Sequence, residues 1–268
     1  MAPLWKQPSV ILFFLIAFGV PWLGWTALEI TGVERSSALG WVLFLSGTGC
    51  SLAGFVATYQ AERGPGLKDL LRRCVRFRVP VVWWLYALFL PVAYYSVATI
   101  AYGLTHGGIG EVKPFELVRL FSPAALFWLI TGPIGEEAGW RGFLLPRLLS
   151  RYSALVSSLI LGVIWSVWHL PLYYSSFFSS IWGTMVFTLD LVCATVLMTV
   201  LFLHTTRSVL LAVVLHWSMN VSPAVVSGVF PSVQPEREMV ILIWGLGVLV
   251  ITSLAMVVAL GPTLKRSA

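Results

Sequence analysis

Residues 181–203 read IWGTMVFTLDLVCATVLMTVLFL, a run of 23 residues with one charge, Asp190. As a helix rising 1.5 Å per residue, such a run is about 34 Å long, enough for the roughly 30 Å hydrocarbon core of a bilayer. A surface helix of a soluble protein shows one apolar stripe and one polar face; this run is apolar all round. Working outward from it, seven further apolar runs are found at about 9–30, 38–60, 81–104, 123–146, 153–174, 208–228 and 239–261. Composition agrees: 58% of the 268 residues are hydrophobic and 10% are charged, against roughly 25% charged in a soluble domain, and the mean hydropathy is +0.89. So few polar side chains could not cover a water-facing surface, whereas lipid removes that need. The expected fold class is all-α: a polytopic transmembrane helix bundle of about eight spanning helices. With no internal repeat, low-complexity segment or dividing linker, residues 1–268 read as one integral membrane domain.

The net charge of +6 is unevenly spread. Arg63, Lys68, Arg72, Arg73, Arg76 and Arg78 crowd one stretch between apolar runs, as a cytoplasmic loop beside anionic head groups does. That placement argues for lipid partners and against nucleic acid. With the N-terminus inside, twelve basic residues face the cytoplasm: Lys6, the six of the 62–80 loop, Arg147, Arg151, Arg207, Lys265 and Arg266. Four face outward: Arg35, Lys113, Arg119 and Arg237. The expected location is a cell membrane, crossed several times, with both termini cytoplasmic. The first run follows a lone Lys6 and exceeds a signal-peptide core in length, so it is read as a retained helix, with Trp22 and Trp25 as interfacial anchors. The three cysteines show no metal-site or disulfide spacing; Cys50 and Cys193 read as packing residues, and Cys74 lies in the basic loop.

Ionisable residues inside apolar runs cost roughly 2.5–3.5 kcal/mol each on insertion scales and mark function by default. The fourth run contains Gly135-Glu136-Glu137-Ala138-Gly139-Trp140-Arg141. Glu137 and Arg141, at i and i+4, share a helix face and can pair. Glu136 points about 100° away and is left free for general-base chemistry. Ser122-Pro123 reads as the start of this helix, and Gly132-Pro133 should kink it just before the carboxylates. The fifth run carries Trp165-Ser166-Val167-Trp168-His169-Leu170-Pro171, with Pro171 bending or ending the helix. The seventh carries His216-Trp217-Ser218-Met219-Asn220, whose i, i+4 spacing puts two hydrogen-bond donors on one face, suited to a developing oxyanion. Each feature has a plain structural reading: a polar helix contact, a packed core histidine, an interhelical hydrogen bond. Together, Glu136, His169, His216 and Asn220 supply a base, a proton carrier and oxyanion donors. Asp190 fits no part of this chemistry and is read as pairing with another helix or lining a water path. His106 and His204 fall near the membrane surfaces and read as ordinary polar residues.

These motifs resemble those of the CAAX proteases and bacteriocin-processing enzymes, the CPBP or Abi family, whose signatures are EExxxR, FxxxH and HxxxN/D. Here they stand as Glu136-Glu137-x-x-x-Arg141, Trp165-x-x-x-His169 and His216-x-x-x-Asn220, within a motif-bearing core of about 122–228. Tryptophan replaces the usual phenylalanine at 165. The resemblance implies a membrane-embedded, glutamate-dependent endopeptidase acting on a peptide or protein substrate, prenylated for some members of the family and not for others. Glu136 and His169 would activate water, His216 and Asn220 would stabilise the oxyanion, and Glu137 and Arg141 would orient the site. No cofactor is implied. Two other readings stay open: zinc held by the same histidines and glutamate, although HExxH is absent, and a non-catalytic immunity factor, scaffold or small transporter. The water-accessible cavity is expected among helices four to seven, facing the cytoplasmic half.

Overall fold

The computed structural model describes residues 3–34, 37–233 and 238–265, and among them secondary structure is helical throughout. Nine helices follow one another: α1 (Pro8–Thr31), α2 (Ala38–Leu45), α3 (Gly49–Cys74), α4 (Val81–Thr105), α5 (123–149), α6 (Ala154–Trp168), α7 (Ile181–His204), α8 (Val209–Val229) and α9 (Glu238–Leu260). Serine starts five of them. The side chains of Ser37, Ser122, Ser153, Ser180 and Ser208 each accept from the backbone N–H three residues on. Such caps satisfy first-turn donors that lipid could not. α1 ends on Gly32 in the left-handed region, φ 61°, where a missing Cβ removes the usual penalty.

Six stretches are long and apolar enough to cross a membrane: Pro8–Thr31, Ala38–Cys74, Val81–Thr105, Ile181–His204, Val209–Val229 and Ile243–Leu260. The chain is thus a multi-pass membrane protein. Lipid-facing side chains such as Leu23, Ile30, Ile181 and Val258 stand exposed around it. The other two expected spans have helices but not span-like ones. α5 carries two glutamates and two arginines. α6 has 15 residues, about 22 Å of helix, and stops at Trp168 instead of running to 174.

Two further sequence expectations need correction. The basic stretch read as a loop from 62 is largely helical. α3 breaks at Arg63 (φ 55°) and then continues to Cys74. Gly66, Leu70 and Arg73 face inward while Lys68 and Arg72 face out, an amphipathic helix suited to a membrane surface. Arg73 ties this segment down by donating to Asp69 (2.8 Å) and to the Gly142 carbonyl (3.0 Å). Trp25 is a core residue and not an anchor at an interface, while Trp22 is half-buried on the outer side of the bundle. The Trp22 indole donates to the Trp168 carbonyl (3.0 Å), and Trp25 is buried against Trp168 with ring centroids 4.6 Å apart. Of the basic residues behind the orientation argument, Arg35, Arg237 and Arg266 lie outside the described residues.

α1 packs on α3, α4 on α8 and α9, and α6 on α7, while α3 also runs along α5. The α3–α5 contact brings backbone against backbone. A Cβ on Gly54 would lie 2.6 Å from the Ala138 carbonyl oxygen, and one on Gly139 would lie 2.4 Å from the Cys50 carbonyl oxygen. Small residues let two backbones meet at this distance in a bilayer. Gly139→Ala is therefore expected to push α3 from α5 and destabilise by about 1–3 kcal/mol, read as a lower thermal unfolding midpoint in detergent. An unchanged midpoint would mean the two helices can separate freely.

Candidate active site

α5 is helical from end to end but changes pitch twice. Ile130–Ile134 and Ala138–Leu144 are π-helical turns, with the α-helical turn Gly135–Glu137 between them. The first contains Gly132-Pro133, where the missing proline N–H removes a backbone bond, as the sequence leads one to expect. The second was not foreseeable from composition. Inserted π turns re-aim side chains and occur often at functional sites. Here they turn Glu136, Glu137, Trp140 and Arg141 all inward, each with at most 3% of its surface exposed.

The two glutamates separate as their 100° offset requires. Glu137 Oε1 accepts from Arg141 (2.9 Å) and lies 2.8 Å from His216 Nδ1 on α8. Arg141 also donates to Thr195 Oγ1 on α7 (3.4 Å), and its guanidinium sits 4.5 Å from the centre of the Trp165 ring. One carboxylate thus joins three helices. Among the described residues, no cation makes hydrogen-bond contact with Glu136. Its Oε2 accepts from the indoles of Trp165 (2.6 Å) and Trp140 (3.3 Å).

His169 caps α6 and its Nδ1 faces the Trp165 carbonyl at 2.9 Å. A carbonyl only accepts, so Nδ1 carries the proton and Nε2 is the ring nitrogen left for other chemistry. Aromatic rings enclose it: Trp168 edge-on at 4.8 Å, Tyr173 stacked at 5.6 Å and Trp25 nearly parallel at 6.4 Å. Asn220 lies one turn beyond His216, beside Gly132.

Glu136, His169, His216 and Asn220 all line one small cavity of about 60 Å³, room for a water or two. The motifs on three separate helices therefore meet in one place, with Glu137 and Arg141 directly behind. A larger cavity of about 460 Å³ adjoins it, sharing Trp128, Tyr173 and Asn220 and reaching Ser122, Ala224 and Val225. These last residues sit at the start of α5 and toward the end of α8. The basic residues, including Arg73, Arg147 and Arg207, gather at the opposite end, around a separate polar recess. The cavity thus opens at the end of the bundle away from these basic residues, whereas the sequence placed it toward them. The cause is tertiary, since α6 stops at Trp168 and leaves the site uncovered on that side.

Gly132 is the floor of this opening. A Cβ there would stand 3.2 Å from Asn220 Nδ2 and 3.8 Å from Glu136 Oε1. Gly132→Ala is expected to lower kcat/KM about 100-fold by displacing whatever reacts between them, with an unchanged unfolding midpoint. Full activity would place the reaction elsewhere.

Other polar residues stand apart. Asp190 lies within electrostatic reach of Tyr94, Tyr95 and Cys193, which belong to a second packed cluster drawn from α4, α7, α8 and α9. His106 stacks on Tyr102, and His204 bonds the Val200 carbonyl. Among the described residues, no three His, Cys, Asp or Glu side chains converge as ligands of a metal would. Sequence reasoning missed three contributors: Trp140, Thr195 and the donor role of Trp165. Tryptophan and threonine inside a span read as packing, and only the fold shows what their N–H and O–H groups meet.

Two comparisons with known proteins bear on this arrangement. Residues 117–222, which hold every motif residue, match the family described as Type II CAAX prenyl endopeptidase Rce1-like. With that match and its membrane helices, the chain is a membrane protease. The chain is also similar to CAAX prenyl protease 2 of the archaeon Methanococcus maripaludis, at 26% identity over 228 residues, or 79% of this chain and 82% of the relative.

Proposed function

We propose that the chain is an intramembrane endopeptidase of the glutamate type, in which Glu136 activates water without a metal ion. The observation that carries this is a buried carboxylate with no cationic partner in contact, lining a cavity together with two histidines and an asparagine. In the proposed step Glu136 Oε1 takes a proton from water while His169 Nε2 accepts that water's second hydrogen bond. The resulting hydroxide adds to the peptide carbonyl. Asn220 Nδ2–H receives the oxyanion. With Glu137 ionised, His216 Nδ1 holds a proton, so donation to the oxyanion through Nε2 requires the imidazolium. The proton held on Glu136 then goes to the departing amine, and the C–N bond breaks. Arg141 and Glu137 act by fixing the His216 ring.

By analogy with the relative named above, a CAAX prenyl protease, the substrate class is a prenylated CAAX peptide. The aromatic and aliphatic lining of the larger cavity supports an apolar ligand. One observation favours a second substrate source. The mouth opens away from the basic end, so if both termini are cytoplasmic the site receives its peptide from the outer face. Purified protein should be tested on three peptides: farnesylated CAAX, the same sequence without the lipid, and an unrelated apolar peptide. Accessibility of a single cysteine at position 225 should be measured in sealed cells alongside. Cleavage restricted to the farnesylated peptide, with position 225 reached from the cytoplasm, supports prenyl-protein processing. Cleavage of the other peptides, with position 225 reached from outside, moves the function to extracytoplasmic peptides. No cleavage of any by folded protein contradicts the enzymatic reading for these substrate classes.

A further inference from the structure

We infer that Trp165, seconded by Trp140, is a positioning residue that fixes which oxygen of Glu136 takes the proton. The inference rests on Glu136 being the base proposed above. Both indole N–H groups converge on the same atom, Oε2, at 2.6 and 3.3 Å. An indole N–H can donate but never accept. Two such donors on Oε2 leave no place for a proton there, because a protonated Oε2 would point its hydrogen at theirs. The proton must therefore go to Oε1. That oxygen faces the Gly132 side of the site, 3.8 Å from where a Cβ on Gly132 would stand.

The clamp also answers how a carboxylate survives here. A buried charge needs hydrogen bonds or a counter-ion, and the nearest guanidinium, Arg141, is committed to Glu137. Two neutral donors satisfy Glu136 without a salt bridge that would quench it as a base. The same Trp165 ring lies under Arg141 at 4.5 Å and edge-on to His216 at 5.1 Å. One side chain thereby sets Glu136 against the Glu137–Arg141–His216 group. Phenylalanine, usual at this motif position, would keep the packing and lose the donor, so the tryptophan of this chain has a consequence beyond shape.

The test separates donor from packing. Trp165 is replaced by its benzothiophene isostere, which keeps the bicyclic shape and puts sulfur where the N–H was, and separately by Trp165→Phe. The probe is a farnesylated CAAX peptide, with kcat, KM and the unfolding midpoint as readouts. The expected result is a kcat lower by about 10- to 100-fold in both variants, the range for one hydrogen bond to a charged group. KM should stay within about twofold and the isostere's midpoint should be unchanged, as neither ground-state binding nor packing is touched. The isostere of Trp140, at the longer distance, should lose less. Wild-type kcat in the Trp165 isostere, with Glu136→Gln inactive, overturns the clamp and leaves the base in place. An active Glu136→Gln, or a wild type that cleaves none of the three peptides named above, removes both.

Discussion

Arg141→Met is expected to destabilise the protein by about 3–5 kcal/mol, the usual cost of removing one partner of a buried ion pair. Arg141 and Glu137 are both fully buried, 2.9 Å apart. Without the guanidinium, Glu137 Oε1 keeps only the contact with His216, and its Oε2 already lacks a partner among the described residues. The alternative for the carboxylate is neutralisation, which would release the His216 ring. Thr195 would lose its bond to Arg141 and Trp165 the cation over its face, so α5, α7 and α8 loosen together. In detergent, a fall in the unfolding midpoint of roughly 10 °C corresponds to this loss. Replacing both partners by methionine should recover much of it, because the uncompensated charge goes as well. The double variant should still be inactive, since His216 is no longer held. A single variant within about 2 °C of wild type would show that the pair does not support the bundle.

Glu136→Gln should have the opposite profile: stability kept, turnover lost. Glutamine has the same size, and its amide oxygen can accept the Trp165 indole, so the packing survives. It cannot take a proton from water. Loss of a general base costs about 10²–10⁴ in rate, and the fall should appear in kcat with little change in KM. Residual activity within tenfold of wild type would place the base elsewhere in the cluster. Glu137→Gln tells the two carboxylates apart, because it should lower stability as well as rate.

Much of this was readable in the chain because a bilayer leaves few choices. Long apolar runs become helices, and the runs at 9–30, 81–104, 181–203 and 208–228 match α1, α4, α7 and α8 closely. Ser122 caps α5, and Gly132-Pro133 distorts it where expected. The grouping of Glu136, Glu137, Arg141, His169, His216 and Asn220 follows from how costly each is in lipid unless it meets the others. What could not be read depends on tertiary contact. The π turn at Ala138–Leu144 leaves no mark in composition. Trp25 and Trp168 look alike as apolar bulk, yet their neighbours make them the wall around His169. The helix over 64–74 was hidden by its charges, since Leu70 is the one apolar side chain it buries fully. Which end of the bundle the cavity opens at was also out of reach, because it is set by the early stop of α6 at Trp168.

The most direct test of the metal-free glutamate site is cleavage of a farnesylated CAAX peptide by wild type and Glu136→Gln, side by side, in a strong metal chelator. The account predicts an undiminished wild-type rate, no stimulation when zinc is returned, and no cleavage by the variant. A wild-type rate abolished by the chelator and restored by zinc would contradict it.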